Sequence, residues 1–343
     1  MRRRLLVISV ITFSFVFCLV SAFYLLDHVC YSKHSNDPIF NQKGYRGSIV
    51  STNKGNKSRI AVFGDSTVFG YGVLLEETMP YLLEKNLKQV KSNVEVVNLG
   101  MNSQGLWGIY SDIDFFKYIN YDTAILYTGH NNISPHVHRG LSGVFAFLGY
   151  YSLWPVIFSE KGKILKYGAN NLSRAYHGDF NKSDYDLNTN STLLKYLAGT
   201  ALEDLSIGYS LIDKKLSNYF VQKQTTKLQQ SGGFKSDIDL IKIVLNKLLE
   251  QKKEIYLVRQ SNNIVADRDE QIKKLLTELP YKGKVKYIDL SLSIDVGNKV
   301  LAFPNGKHLT KAGNTIIANE LSRELQSSSK IFSSDPQIYS SEI

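Results

Sequence analysis

Ile60-Ala61-Val62-Phe63-Gly64-Asp65-Ser66-Thr67 is an apolar run that stops abruptly in Gly-Asp-Ser. β-Branched and aromatic residues over four positions suit a buried strand, and the Gly-Asp pair breaks it. Far along the chain, Phe303-Pro304-Asn305-Gly306-Lys307-His308-Leu309-Thr310 presents a histidine just before a helical pattern. A serine at the end of a strand and a histidine in a late loop form a nucleophile and base pair, the minimum for acyl transfer through a covalent intermediate. Each has a plainer reading. Ser66 suits a helix N-cap, and His308 suits a surface position near a helix start. The two segments together favour the chemical one.

Working outward from Ser66, apolar strand runs alternate with helical periodicity. Strands are expected at 60–63, 94–99, 123–128, 255–258 and 285–290, and helices at 78–90, 111–119, 238–251 and 311–325. This alternation predicts an α/β fold with a central parallel sheet and helices on both faces. Ligands of such sheets sit outside the carboxyl ends of the strands. Ser66, Gly100, Asn131 and His308 all fall just after predicted strands or in late loops.

The N-terminus adds a membrane signal. Residues 5–26 are apolar and uncharged. At ~1.5 Å per residue they cover a hydrocarbon layer of ~30 Å. Arg2, Arg3 and Arg4 precede them, so residues 1–4 are expected as a cytoplasmic stub and the remainder on the far side, periplasmic or extracellular. A cleaved signal peptide is the alternative, with Val20-Ser21-Ala22 as its cleavage site. The apolar run continues past that site through Phe23-Tyr24-Leu25-Leu26, which favours an uncleaved single-pass anchor. Cys18 lacks the small residues that precede a lipidated cysteine.

Residues 27–58 are polar and read as a juxtamembrane linker, and the globular domain is expected at 59–325. Hydrophobic residues make up 43% of the chain and charged residues 21%, as in globular proteins. The two cysteines, Cys18 and Cys30, provide no disulfide framework. The net charge of +10 is spread along the chain and no base-reading motif accompanies it, so no nucleic-acid partner is expected.

Residues 133–235 break the alternation and form an insertion. Its apolar stretch 140–159 has the length of a second span, but Pro155, serines and glycines weaken it. A second span would also separate Ser66 from His308. A lid or membrane-facing helix is the preferred reading. The Ser-rich segment 326–343 reads as a disordered tail.

Four blocks in order, Phe63-Gly64-Asp65-Ser66, Asn98-Leu99-Gly100, Gly129-His130-Asn131-Asn132 and Asn305-Gly306-Lys307-His308, resemble the SGNH (GDSL) hydrolase family. The stretches 67–87 and 308–314 resemble its bacterial members as well. The resemblance covers 59–325 apart from the insertion, and it implies a flavodoxin-like three-layer α/β/α sandwich. It also implies Ser66 as nucleophile and His308 as general base and then acid, a task suited to a side chain with a reference pKa of ~6.5. Gly100 and Asn131 would join the Ser66 N–H in the oxyanion hole, through close backbone approach and a side-chain amide donor respectively. Taken alone, both are ordinary turn residues. Asp65 is expected to hydrogen-bond within its loop.

Two departures from the family pattern stand out. Asn305 occupies the position of the aspartate three residues before the histidine, and Asn132 that of the aspartate ending the third block. An asparagine orients a histidine through its carbonyl oxygen but offers no full charge, and an Asp-to-Asn change in a serine protease triad costs ~10⁴ in turnover. A Ser-His pair with a weak orienter, a substitute carboxylate such as Asp289 or Asp295, and lost catalysis all fit. His130, His136 and His138 lack a carboxylate or thiol to complete a metal site. No metal and no cofactor are expected.

The resemblance and the topology together imply a membrane-anchored serine esterase acting on acyl esters, chiefly acetyl, of an envelope or extracellular glycan. An O-acyltransferase, a lysophospholipase acting on a lipid substrate, and a catalytically silent glycan-binding or assembly protein are the alternatives.

Overall fold

The computed structural model describes residues 2–33, 40–102, 104–128, 144–145, 149–167, 190–229, 237–259, 266–278, 280–290, 293, 298, 300–302 and 308–333. Five strands form one sheet: β1 Ser58–Gly64, β2 Val94–Gly100, β3 Thr123–Thr128, β4 Glu254–Arg259 and β5 Val285–Asp289. Their order is β2-β1-β3-β4-β5, and every neighbouring pair is parallel. This is the flavodoxin-like order, whose switch point lies between β1 and β3. Ser66 lies two residues past the end of β1.

The described helices are α1 Arg2–Lys33, α2 Ser66–Phe69, α3 Met79–Lys88, α4 Leu106–Phe115, α5 Trp154–Tyr167, α6 Asn190–Gln229, α7 Asp237–Glu250, α8 Ala266–Thr277, α9 Lys311–Ser328 and α10 Lys330–Ser333. Side chains alternate across a strand, and β1 shows how that builds two cores. Ala61 and Phe63 face α4, α7 and α8 through Ile113, Ile241 and Ile272. Ile60 and Val62 face α3 and α9 through Leu83 and Leu321. A parallel sheet needs both faces covered, and these two helix layers supply that cover. The α/β/α sandwich follows.

The strands match the sequence reading to within two residues at each end. Helix α4 does not: it starts at Leu106, five residues before the expected 111, and ends at Phe115, with a 3-10 turn over Phe116–Ile119. The apolar spacing of Leu106, Ile109 and Ile113 sets this helix against the sheet. Its N-cap is Gly105, with no side-chain cap bond to signal the start. The expected tail at 326–343 also needs correction in its first part. Two helices, separated by the extended Ser329, carry the chain to Ser333, and Ile331 is buried in the core that α9 lines.

Among the described residues, Val7–Lys33 alone forms a helix long and apolar enough to cross a membrane. This helix runs seven residues past the expected end at 26, and the segment after it is no free linker. Asp27 is buried, and its Oδ1 accepts hydrogen bonds from the Leu153 and Trp154 N–H groups, both at 2.7 Å. Phe23 stacks on Trp154 with ring centroids 4.7 Å apart, and the Tyr31 hydroxyl donates to the Tyr151 carbonyl at 2.6 Å. Tyr45 and Arg46 are likewise buried. Polar composition suggested a linker, but these few apolar and hydrogen-bonding side chains seat it on the domain.

The described part of the insertion is a helical hairpin of α5 and α6. A Cβ at Gly162 would lie 2.7 Å from the Gly199 carbonyl oxygen, and one at Gly199 would lie 2.6 Å from that of Gly162. Two glycines thus let the helix backbones touch. Lys166 and Glu203 form an ion pair across the same contact at 2.5 Å. The stretch 140–159 is no continuous span: α5 begins only at Trp154, after a positive-φ Gly149 (φ 61°). The stretches 129–143, 168–189 and 230–236 lie outside the described residues.

Candidate active site

The nucleophile position is built by the abrupt end of β1. Asp65 caps α2, its Oδ1 accepting from the Thr67 N–H at 2.9 Å. Such a cap fixes the first turn, so Ser66 becomes the first helical residue, with its N–H free of any intrahelical acceptor. A Cβ at Gly64 would lie 2.4 Å from Val68 Cγ2, so the strand end must be glycine for α2 to fold back over it. The expectation that Asp65 bonds within its own loop matches this geometry.

His308 arrives from the other end of the chain. Leu309 is buried and bridges to Ala302, while Thr310 caps α9 and its N–H donates to the Leu301 carbonyl at 3.0 Å. Gly313 lets α9 start this close: a Cβ there would lie 2.2 Å from the Leu301 oxygen. This turn holds the imidazole with Nε2 2.8 Å from Ser66 Oγ. Ser66 is buried and His308 half-buried. A hydroxyl within hydrogen-bond reach of an imidazole nitrogen is the arrangement a nucleophile and general base require.

Gly100 ends β2 beside α2. A Cβ there would lie 2.2 Å from the Phe69 nitrogen, so close backbone approach explains the glycine. Its N–H donates to Asn98 Oδ1 at 3.0 Å. Asn98, one of the residues of the second block, also donates from its side-chain amide to the Phe69 carbonyl at 3.4 Å. Asn131, Asn305 and Asp295 lie outside the described residues, as do His130, His136 and His138. Asp289 pairs with Arg259 at 3.6 Å, at the ends of the neighbouring strands β5 and β4. Among the described residues no cluster of three or more metal-ligating side chains occurs.

Two further residues escaped the sequence reading. The Arg46 guanidinium donates to the carbonyls of Phe69, Gly70 and Val73, each at 2.7 Å, and lies 4.8 Å from the Phe69 ring centroid. Burial pulls its pKa down to about 10, which leaves it charged near neutrality. Arg46 therefore clamps the turn that leaves α2. Tyr71 lies beyond that turn, half exposed, with its ring centroid 4.7 Å from that of His308. Arg46 sits in no motif, and Tyr71 lies in the stretch 67–87 without a role assigned to it; only the folded chain brings them to this place.

No protein-family model matches this chain, and no curated protein matches it. Among solved structures, it is similar to the esterase EstA from Pseudoalteromonas sp., at 10% identity and a TM-score of 0.41, over 79% of this chain and 98% of that one. It is also similar to the Clostridium thermocellum family 3 carbohydrate esterase, at 13% identity and a TM-score of 0.40, over 79% of this chain and 96% of the other. These identities and scores are low.

Proposed function

We propose that this protein is a membrane-anchored serine esterase that removes acyl groups, chiefly acetyl, from an envelope or extracellular glycan. The 2.8 Å contact between Ser66 Oγ and His308 Nε2 carries this reading. His308 takes the proton as Ser66 attacks the ester carbonyl, and returns it to the leaving alcohol as the acyl-enzyme forms. Water, deprotonated by the same imidazole, then releases the acid and restores Ser66. The Ser66 N–H faces the developing oxyanion, and the Gly100 N–H joins it by sharing its bond to Asn98. Asn131 supplies a third donor. The half-exposed Tyr71 ring beside His308 supports a sugar substrate, since flat aromatic rings stack on sugar faces.

Lysophospholipid esters form a second substrate class, favoured by the packing of α1 against the insertion hairpin. Purified full-length protein assayed on acetyl, octanoyl and lysophospholipid esters separates the two, with Ser66→Ala as control. Acetyl-glycan turnover absent from Ser66→Ala supports the esterase. Turnover confined to the lysophospholipid supports the second class, and turnover by Ser66→Ala overturns both. Export is tested by a reporter fused after Leu325, and cytoplasmic reporter activity there overturns the orientation.

A further inference from the structure

A cavity of about 470 Å³ lies between α1, α5 and α6, apart from the residues assigned to catalysis. Val20, Phe23 and Tyr24 of α1, Trp154 of α5, and Gly208 and Ile212 of α6 line it. Its size falls within the range of ~300–1,000 Å³ usual for small-molecule sites. The lining is overwhelmingly apolar, with Asp27, Asp204 and Ser152 among its few polar residues.

Gly208 makes the cavity informative. A glycine inside a helix costs ~1 kcal/mol relative to alanine, so it needs a reason. Gly162 and Gly199 have one, because a Cβ at either would collide with the facing helix. A Cβ at Gly208 would meet nothing within 4 Å. Packing against protein does not demand this glycine. The space above it stays open although any larger side chain would fill it.

The location identifies the occupant. Val20, Phe23 and Tyr24 belong to the helix that is long and apolar enough to span a membrane, and all three lie toward its C-terminal end. Tyr24, Tyr31, Tyr150 and Trp154 cluster at that end; Trp154 is buried there and Tyr24 is exposed, the position an aromatic residue takes where a span meets the headgroups. An apolar recess at this depth faces hydrocarbon chains. We propose that the cavity binds one acyl chain of a bilayer phospholipid, wedged between the span and the hairpin. This site rests on the reading of α1 as a membrane span. It is a binding site for intact lipid, separate from the ester bond cleaved at Ser66.

The test uses full-length protein in phosphatidylcholine vesicles doped with phosphatidylcholine that carries a diazirine on one acyl chain. Adducts are mapped by mass spectrometry after illumination. The expected result is labelling at Val144, Gly208 and Tyr209 in addition to the outer face of the span at Val10 and Phe13. Gly208→Leu, which fills open space and favours the helix, should cut the cavity adducts at least fivefold and leave those at Val10 and Phe13 unchanged. Gly208→Ala should cut them by a smaller factor. The melting temperature of Gly208→Leu in detergent should equal or exceed that of wild type. Cavity labelling that is absent, or indifferent to Gly208→Leu, overturns the site. Extraction of the protein from the vesicles by alkaline carbonate overturns both the span and the site. Firm insertion with an unlabelled cavity overturns the site alone.

Discussion

Arg46 donates a 2.7 Å hydrogen bond to the carbonyl of Phe69, the last residue of the helix that Ser66 begins. The segment that follows α1 thereby grips α2 from behind, and the same guanidinium holds Gly70 and Val73. Planar fork geometry matters here, because an ammonium is a point charge and cannot satisfy three spread carbonyls. Arg46→Lys should lower kcat for ester turnover more than tenfold with little change in KM, since the substrate is not touched. Arg46→Met removes three buried charge-assisted hydrogen bonds and should cost at least about 2 kcal/mol in denaturant unfolding, although Asn98 still reaches the Phe69 carbonyl. If Arg46→Lys matches wild type in kcat, the clamp does not position Ser66.

The Ser66–His308 contact predicts a mutational signature. Ser66→Ala and His308→Ala should each reduce turnover by ~10³ or more, and the double variant should be no worse than either, because the pair acts as one unit. Ser66→Ala should also abolish labelling by a fluorophosphonate probe. Labelling that persists in Ser66→Ala would assign the nucleophile elsewhere.

The sheet was legible in the sequence because its strands are short, apolar and bounded by turn residues, and because Ser66 and His308 sit in recognisable local patterns. Helix α8 (Ala266–Thr277) escaped because its polar face dominates its composition, and among its described side chains only Ile272 and Leu275 are buried. Arg46 and Tyr71 were illegible for another reason. Arg46 bonds to residues 23 to 27 positions away, and Tyr71 meets a histidine from the far end of the chain. Such contacts leave no periodicity. The docking of Asp27 on α5 likewise spans more than a hundred residues and lies in a stretch whose polar composition suggested a tether.

Glu254 ties the last helices to the sheet and gives a pH prediction. Its carboxylate accepts from Lys286 Nζ at 2.6 Å, from Ser329 Oγ at 2.6 Å and from the Lys330 N–H at 3.3 Å. Burial alone would push its pKa up, but these partners hold it below the ordinary range. A depressed carboxyl pKa contributes stability above the unfolded value of ~4.3, and that contribution is lost as pH falls through the folded value. Glu254→Gln should therefore cost about 1–2 kcal/mol at pH 7, and the gap to wild type should narrow below about pH 4. Urea unfolding at the two pH values measures it. A gap of equal size at both would mean that packing, not the charge, is what Glu254 contributes.

The last prediction concerns Asn305, which stands where the SGNH pattern has an aspartate. If Asn305 is what orients the His308 ring, the imidazolium has no paired charge during attack, and turnover should be slow. Asn305→Asp should raise kcat about tenfold, corresponding to ~1.4 kcal/mol of transition-state stabilisation, with the gain confined to pH values where the new carboxylate is ionised. The readout is kcat on an acetyl ester across pH, with Ser66→Ala as the zero. An unchanged or lower kcat would mean that another group already orients His308. Asp289 is then the first residue to change, because Arg259 at 3.6 Å already fixes that carboxylate at the carboxyl end of the sheet. Asp289→Asn should in that case lower kcat by at least tenfold while Asn305→Ala leaves it intact, and Asp295→Asn separates the remaining candidate. Wild type and Asn305→Asp both inert toward esters and toward the fluorophosphonate probe would replace the esterase by a glycan-binding protein built on the same fold.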